Sequence, residues 1–123
     1  MNALWVGIVI LGVIVLVAKV GLGGSGANSA AAKEKIKQGA MVLDVRTPAE
    51  YESGHYQDAK NIPLQDLQNR LDQLGDKKKA IVVYCASGMR SAKAANILTA
   101  AGFMDVTDAG GLSNLGQSGS RAR

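Results

Sequence analysis

Apolar positions along this chain fall into two regimes. From Ala3 to Ala18 every residue is apolar or glycine, and the run shows no polar face. It covers 16 residues, and reaches 20 if Lys19 snorkels and the segment continues to Leu22. About 20 such residues cross a bilayer core as a helix. Trp5 stands where an interfacial aromatic would anchor one end. Residues 1–22 therefore read as a transmembrane anchor. A cleaved signal segment is the alternative, with a small-residue site within Gly26–Ala30, although Met1-Asn2 lacks the basic start such a signal wants. A buried core helix fits least, because it too would usually show a polar stripe. Residues 23–29, Gly-Gly-Ser-Gly-Ala-Asn-Ser, form a flexible linker.

Beyond the linker, apolar residues recur at helical spacing and then in short runs, alternately. Asn28 or Ser29 can cap a helix over Ala30–Gln38 that Gly39 ends. Met41–Val45 is short and nearly all apolar, as in a parallel strand buried on both faces. Pro48 suits the first position of a short helix to Ser53. Lys60–Ile62 reads as a strand. Leu64, Leu67, Leu71 and Leu74, at steps of three, four and three, mark one face of a helix closed by Gly75. The strand Ala80–Tyr84, a loop and a helix Ser91–Ala101 follow. Ala94, Ile97, Leu98 and Ala101 form that helix's buried face, and Gly102 stands just past its end. Met104–Thr107 is the last strand, Gly110-Gly111 a turn, and Leu112–Leu115 a helical turn. Residues 30–116 thus form one α/β domain with helices around a mostly parallel sheet. Residues 117–123 read as a disordered tail.

Charge adds orientation. The lysines at 19, 33, 35 and 37 follow the apolar run, while only the terminal amine precedes it. The positive-inside rule makes the chain a single-pass protein of a bacterial-type inner membrane with its domain in the cytoplasm; a periplasmic domain is the alternative. The net charge of +4 is mild, and Lys77-Lys78-Lys79 reads as a solvated loop. Basic residues are scattered among only five aromatics, so no nucleic-acid partner is expected. The single cysteine excludes an internal disulfide and a cysteine-cage metal site. No metal or cofactor is expected.

That cysteine carries the candidate chemistry. Cys85-Ala86-Ser87-Gly88-Met89-Arg90 joins an apolar strand to a helix. Ligands of open α/β sheets bind at the carboxyl ends of strands. The free amides and positive dipole end of the following helix favour a thiolate, which is the nucleophilic form. The amides of Ala86, Ser87, Gly88, Met89 and Arg90 can turn inward as a nest for an anion. Gly88 permits φ > 0, and Arg90 offers a planar cation to an anionic donor. Arg90 can equally form a salt bridge, and Ser87 can either donate to sulfur or merely fit the turn.

The loop Cys85-x-x-Gly88-x-Arg90 resembles the active-site loop of rhodanese-domain sulfurtransferases. Asp44-Val45-Arg46, Glu50-Tyr51, Gly54-His55 and Ala59-x-Asn61-Ile62-Pro63 resemble that family's N-terminal signature in order and spacing. Ala109-Gly110-Gly111-Leu112 resembles a third motif. The short chain is most similar to the small single-domain members of phage-shock type. Tyr56, Asp58 and Leu115 depart from the family pattern, at positions that bear on packing more than chemistry.

The resemblance implies a sheet of about five strands flanked by helices on both faces. It also implies a Cys85 persulfide that carries sulfur from thiosulfate or a persulfide donor to a thiophilic acceptor, in two half-reactions. Small sulfur-containing anions or thiols, or a protein sulfur donor or acceptor, would be the partners. Related phosphatases place five residues between Cys and Arg; this loop has four, which in the family suits sulfur rather than phosphate. Asp44 and Arg46 are expected to support the site as an ion pair rather than bind substrate. His55, the only histidine, is expected in a structural role. A tethered persulfide carrier or docking module, without turnover of its own, is the competing reading.

Overall fold

The computed structural model describes residues 27–116. The apolar segment 1–22, most of the linker and the tail 117–123 lie outside the described residues, as do the expectations attached to them. Within the described residues, no helix is long and apolar enough to cross a membrane.

The elements alternate as the pattern requires. Helix α1 spans Ser29–Lys37, strand β1 Met41–Asp44, helix α2 Pro48–Ser53 and strand β2 Lys60–Asn61. Helix α3 (Leu64–Leu67) and a 3₁₀ turn (Leu71–Leu74) lead to strand β3 (Ile81–Cys85). Helix α4 (Met89–Ala100), strand β4 (Val106–Gly111) and a second 3₁₀ turn (Leu112–Leu115) complete the domain. The sheet has four strands among the described residues, not about five, in the order β2-β1-β3-β4. Every pairing is parallel. The outer edge of β4 receives one further backbone bond, from Asn28 N–H to the Asp108 carbonyl at 2.7 Å.

Strand alternation divides the core. Leu43, Val45, Ile81, Val83 and Cys85 face one side, where Ile62, Leu67, Leu74, Ala94, Leu98 and Phe103 cover them. Val42, Val82 and Tyr84 face the other side, against Ala32 and Leu115. A parallel sheet buried on both faces needs apolar residues at both parities, which explains the unbroken apolar runs. The parity also sends the Cys85 side chain toward α4 and puts Tyr84 with Asp44 on the opposite face.

Three expected elements change. The helix expected over Leu64–Leu74 is two pieces, because Arg70 adopts φ −125°, ψ 22° and the intervening bonds are of i→i−3 type. Leu67 and Leu74 are nevertheless buried. Residues three apart eclipse in a 3₁₀ helix, so the leucine spacing serves both geometries. Helix α4 begins at Met89, two residues before the expected start at Ser91. Gly110-Gly111, read as a turn, instead ends β4. The register there passes from Val83↔Asp108 to Tyr84↔Gly110, leaving Ala109 as an extra residue in a bulge.

Asp58, one of the departures from the family pattern, has φ 62°. The left-handed region costs a residue with a Cβ about 1–2 kcal/mol, less for Asp. Asp58→Gly is therefore expected to stabilise the domain by about 0.5 kcal/mol, raising Tm by about 2–4 °C in a thermal melt. An unchanged or lowered Tm would mean that Asp58 makes a compensating local interaction.

Candidate active site

Cys85 is the last residue of β3 and pairs in register with Gly111. The chain turns sharply after it. Gly88 is the N-cap of α4, at φ 109° and ψ −19°, a conformation open to glycine. With no side chain, Gly88 cannot satisfy the first amides of α4 as an N-cap Ser or Asp would. The cysteine sulfur takes that part. Gly88 N–H donates to Cys85 Sγ at 2.9 Å, and Ser91 N–H, third in the helix, donates at 3.3 Å. The cap of this helix is thus the Cys85 sulfur, and the helix end suits that atom in its anionic form.

Gly111 makes the turn possible from the other side. A Cβ there would lie 2.5 Å from the Ala86 carbonyl oxygen. β4 can run alongside the start of the cysteine loop only because that position is bare.

Two opposed effects set the thiol's acidity. Burial pushes it up. The Ser91 hydroxyl and the amides of Ser91, Gly88 and Ser87 stabilise the thiolate and prevail, so Cys85 lies below the ordinary thiol value. Ser91 Oγ also lies 3.1 Å from the Gly88 carbonyl oxygen, and its one proton can serve either acceptor. Cys85 itself has 0% exposure, whereas Ala86 and Ser87 are exposed and Met89 is 71% exposed. Sγ is thus screened from solvent in this arrangement of the loop.

The loop residues therefore divide. The amides of Ser87 and Gly88 act on sulfur, the Ala86 carbonyl faces Gly111, and the Met89 side chain points to solvent. Arg90 takes the salt-bridge alternative. Its Nη1 and Nη2 donate to Glu50 Oε1 and Oε2 at 2.7 and 3.0 Å. Glu50 also accepts on Oε1 from Thr47 N–H at 3.0 Å and from Thr47 Oγ1 at 3.1 Å, closing the capping box of α2. Arg90 first, and then the Thr47 amide, lower Glu50 to about 2. The pair's contribution to stability is thus complete above Glu50's ordinary value of 4.5 and is lost as pH falls toward 2.

Asp44 and Arg46 form the expected ion pair. Asp44 is fully buried. Its Oδ1 accepts from Arg46 N–H at 2.9 Å and Nε at 3.0 Å; its Oδ2 accepts from Arg46 Nη2 at 2.6 Å and Tyr84 Oη at 2.7 Å. Arg46 Nη2 also donates to the Gly54 carbonyl at 2.7 Å, and Tyr84 Oη accepts from Tyr56 N–H at 2.9 Å. The network ties β1, β3 and the segment after α2 together. His55 has the expected structural place, stacked on Tyr51 at 3.6 Å with Nδ1 2.8 Å from the Tyr51 carbonyl oxygen.

Reasoning from sequence did not single out Glu50 as Arg90's partner, nor Ser91 or Tyr84. The Thr47-x-x-Glu50 spacing of the capping box was a readable sign that Glu50 is held in place. Nothing local distinguishes Ser91, whose role arises only when the helix starts at Met89.

Two outcomes check this geometry. The rate of Cys85 alkylation by iodoacetamide should titrate with a midpoint below the ~8.5 of a free thiol, and Ser91→Ala should move that midpoint upward. A midpoint at or above the free-thiol value would contradict the amide arrangement. Tyr84→Phe should cost about 1–3 kcal/mol in denaturant unfolding, since Tyr56 N–H and Asp44 each lose a partner.

The family profile described as "Rhodanese-like domain" matches residues 28–115. The chain is 39% identical over 74 residues to thiosulfate sulfurtransferase PspE of Escherichia coli, covering 59% of this chain and 71% of that one. It is 37% identical over 93 residues to thiosulfate sulfurtransferase 18 of Arabidopsis thaliana, covering 65% and 68% respectively. Among solved structures it is similar to an E. coli rhodanese with anions, at TM-score 0.58 and 38% identity, over 61% of this chain and 89% of that one. With the cysteine loop, its supporting ion pair and the parallel sheet all in place, this chain belongs to the rhodanese family.

Proposed function

We propose that this rhodanese-type transferase moves sulfane sulfur from thiosulfate or a persulfide donor to a thiophilic acceptor, through a persulfide on Cys85. One observation carries the reading: the Cys85 sulfur caps helix α4 through the Gly88 and Ser91 amides, an arrangement that stabilises a thiolate. The relatives named thiosulfate sulfurtransferases support the same chemistry.

In the first half-reaction the thiolate attacks the outer sulfur of thiosulfate. The S–S bond of the donor breaks, sulfite leaves with its electron pair, and the new sulfur stays bonded to Sγ. In the second, a thiolate or cyanide attacks that terminal sulfur and the Cys85 thiolate departs. No base is needed once the thiol is ionised, which agrees with the structural placement of His55. The persulfide, itself an anion, would draw on the same amides that stabilise the thiolate.

One observation favours a second reading, in which the domain is a persulfide carrier fed by a protein. Arg90, the cation expected to draw small anions, is bound by Glu50, and the exposed loop residues Ala86, Ser87 and Met89 carry no charge. In either reading, residues 1–22 would tether the domain to a membrane, and the lysines that follow them favour the cytoplasmic side.

Thiosulfate and cyanide mixed with the protein should yield thiocyanate, and Cys85→Ser should abolish the product. Absence of thiocyanate with wild type, together with a gain of one sulfur in mass on Cys85 from a protein donor, would select the carrier. Absence of both would overturn sulfur transfer altogether. In sealed vesicles of known sidedness, added protease should cut the domain only when the cytoplasmic face is outward.

A further inference from the structure

The cation of the cysteine loop is not free. Arg90 lies at the second position of α4, one residue before the Ser91 amide that binds Sγ, and the Cys85 thiolate charge acts on it. Yet its guanidinium forms a two-point pair with Glu50, 40 residues earlier in the chain. The pair is partly exposed, with side chains 34% and 35% accessible. Ordinarily such a pair is loose, because two long side chains must be ordered together. Here one partner is already fixed. The capping box holds Glu50 Oε1 on Thr47, so the carboxylate waits at one place whether or not Arg90 is bound.

We propose that Glu50 is a specificity-determining residue that cancels the charge of Arg90 and thereby disfavours small, highly charged sulfur donors. This inference rests on the sulfur-transfer reading of Cys85. The local charge balance is its basis. With Arg90 paired, the mouth of the site presents one cation and one carboxylate together, and an approaching dianion such as thiosulfate meets no net attraction. It must either displace Glu50 from a bidentate partner or bind without Arg90. A donor of low charge loses nothing by the pairing. The neighbouring surface suits such a donor. A cleft of about 230 Å³ adjoins Arg90; Val45, Pro48, Pro63 and Leu64 give it an apolar side, and Thr47, Gln65 and Arg46, whose charge is met by Asp44, complete the wall. The substrate class that fits is an organic persulfide or thiol, free or on a protein, with an apolar group next to its sulfur.

Glu50→Gln tests the proposal without removing the cap, since Gln also closes a capping box and still accepts from Thr47. An unchanged far-ultraviolet spectrum and melting curve establish that the variant is folded. The first readout is the alkylation of Cys85 by iodoacetate relative to iodoacetamide. The two reagents share their chemistry and need the same access to Sγ, and differ by one negative charge. Glu50→Gln should raise the iodoacetate-to-iodoacetamide ratio by about 3–10-fold at low salt, an effect that salt screens. The second readout is sulfur loading. The KM for thiosulfate should fall by a similar factor, and the KM for a monoanionic aromatic thiosulfonate should fall less.

If the variant is folded but the ratio is unchanged, or thiosulfate KM is unchanged or raised, Glu50 only positions Arg90 and the proposal fails, while sulfur transfer stands. If neither protein gains sulfur from any donor, sulfur transfer fails and the proposal with it.

Discussion

The fully buried Asp44 carboxylate is the constraint on which the site depends. It sits at the end of β1, where a lone negative charge would be prohibitively desolvated. Four donor groups answer it: the Arg46 amide, the Arg46 Nε and Nη2, and the Tyr84 hydroxyl. Satisfying one carboxylate therefore fixes three parts of the chain. Tyr84 belongs to β3, one residue before Cys85. Arg46 reaches on to the Gly54 carbonyl and so brackets α2. Glu50, inside that bracket, is aimed at Arg90. Removing one member of such a buried cluster leaves the others uncompensated, which is why breaking a buried pair costs more than making it gains.

The reactive sulfur inherits its properties from this frame and from chain direction. Strand parity turns Cys85 toward α4, and the left-handed Gly88 lets the helix start early enough for the Ser91 amide to face sulfur. Gly111 admits the loop to within contact of β4. A thiol in an apolar core would be driven to its neutral form; here the Ser91 hydroxyl, with the amides of Ser91, Gly88 and Ser87, reverses that outcome. Burial and activation are thus compatible only because the amides that would otherwise need a capping side chain are turned on Sγ.

Much of this was legible in the sequence. Alternating apolar runs marked the parallel strands. Strand–cysteine–glycine–helix order placed Cys85 at the end of a strand before a helix, and Asp44-x-Arg46 announced the ion pair. What escaped depends on tertiary geometry. A leucine spacing of three and four fits both an α-helix and a 3₁₀ turn, so the break at Arg70 left no local trace. A double glycine reads as a turn, but Gly110-Gly111 is bare so that β4 can bulge and pass the loop. The start of α4 was misjudged by two residues because Gly88, not a polar cap, precedes it. Arg90's partner lies far away in sequence, and only the fold brings it to hand.

That last contact bears on how a common loop is tuned. The groups around Sγ stabilise a thiolate whatever its partner, so they bear on acidity and not on selectivity. Under the proposed sulfur transfer, selectivity comes from groups a donor meets before its sulfur reaches Sγ. Around this loop, among the described residues, such groups include Arg90, Glu50, the mixed wall of the adjoining cleft and the exposed Met89. A free arginine would favour donors by charge. An arginine held by a pre-fixed carboxylate leaves shape and apolar contact to decide. One carboxylate on α2, outside the cysteine loop, can therefore change what the loop accepts while leaving its chemistry alone.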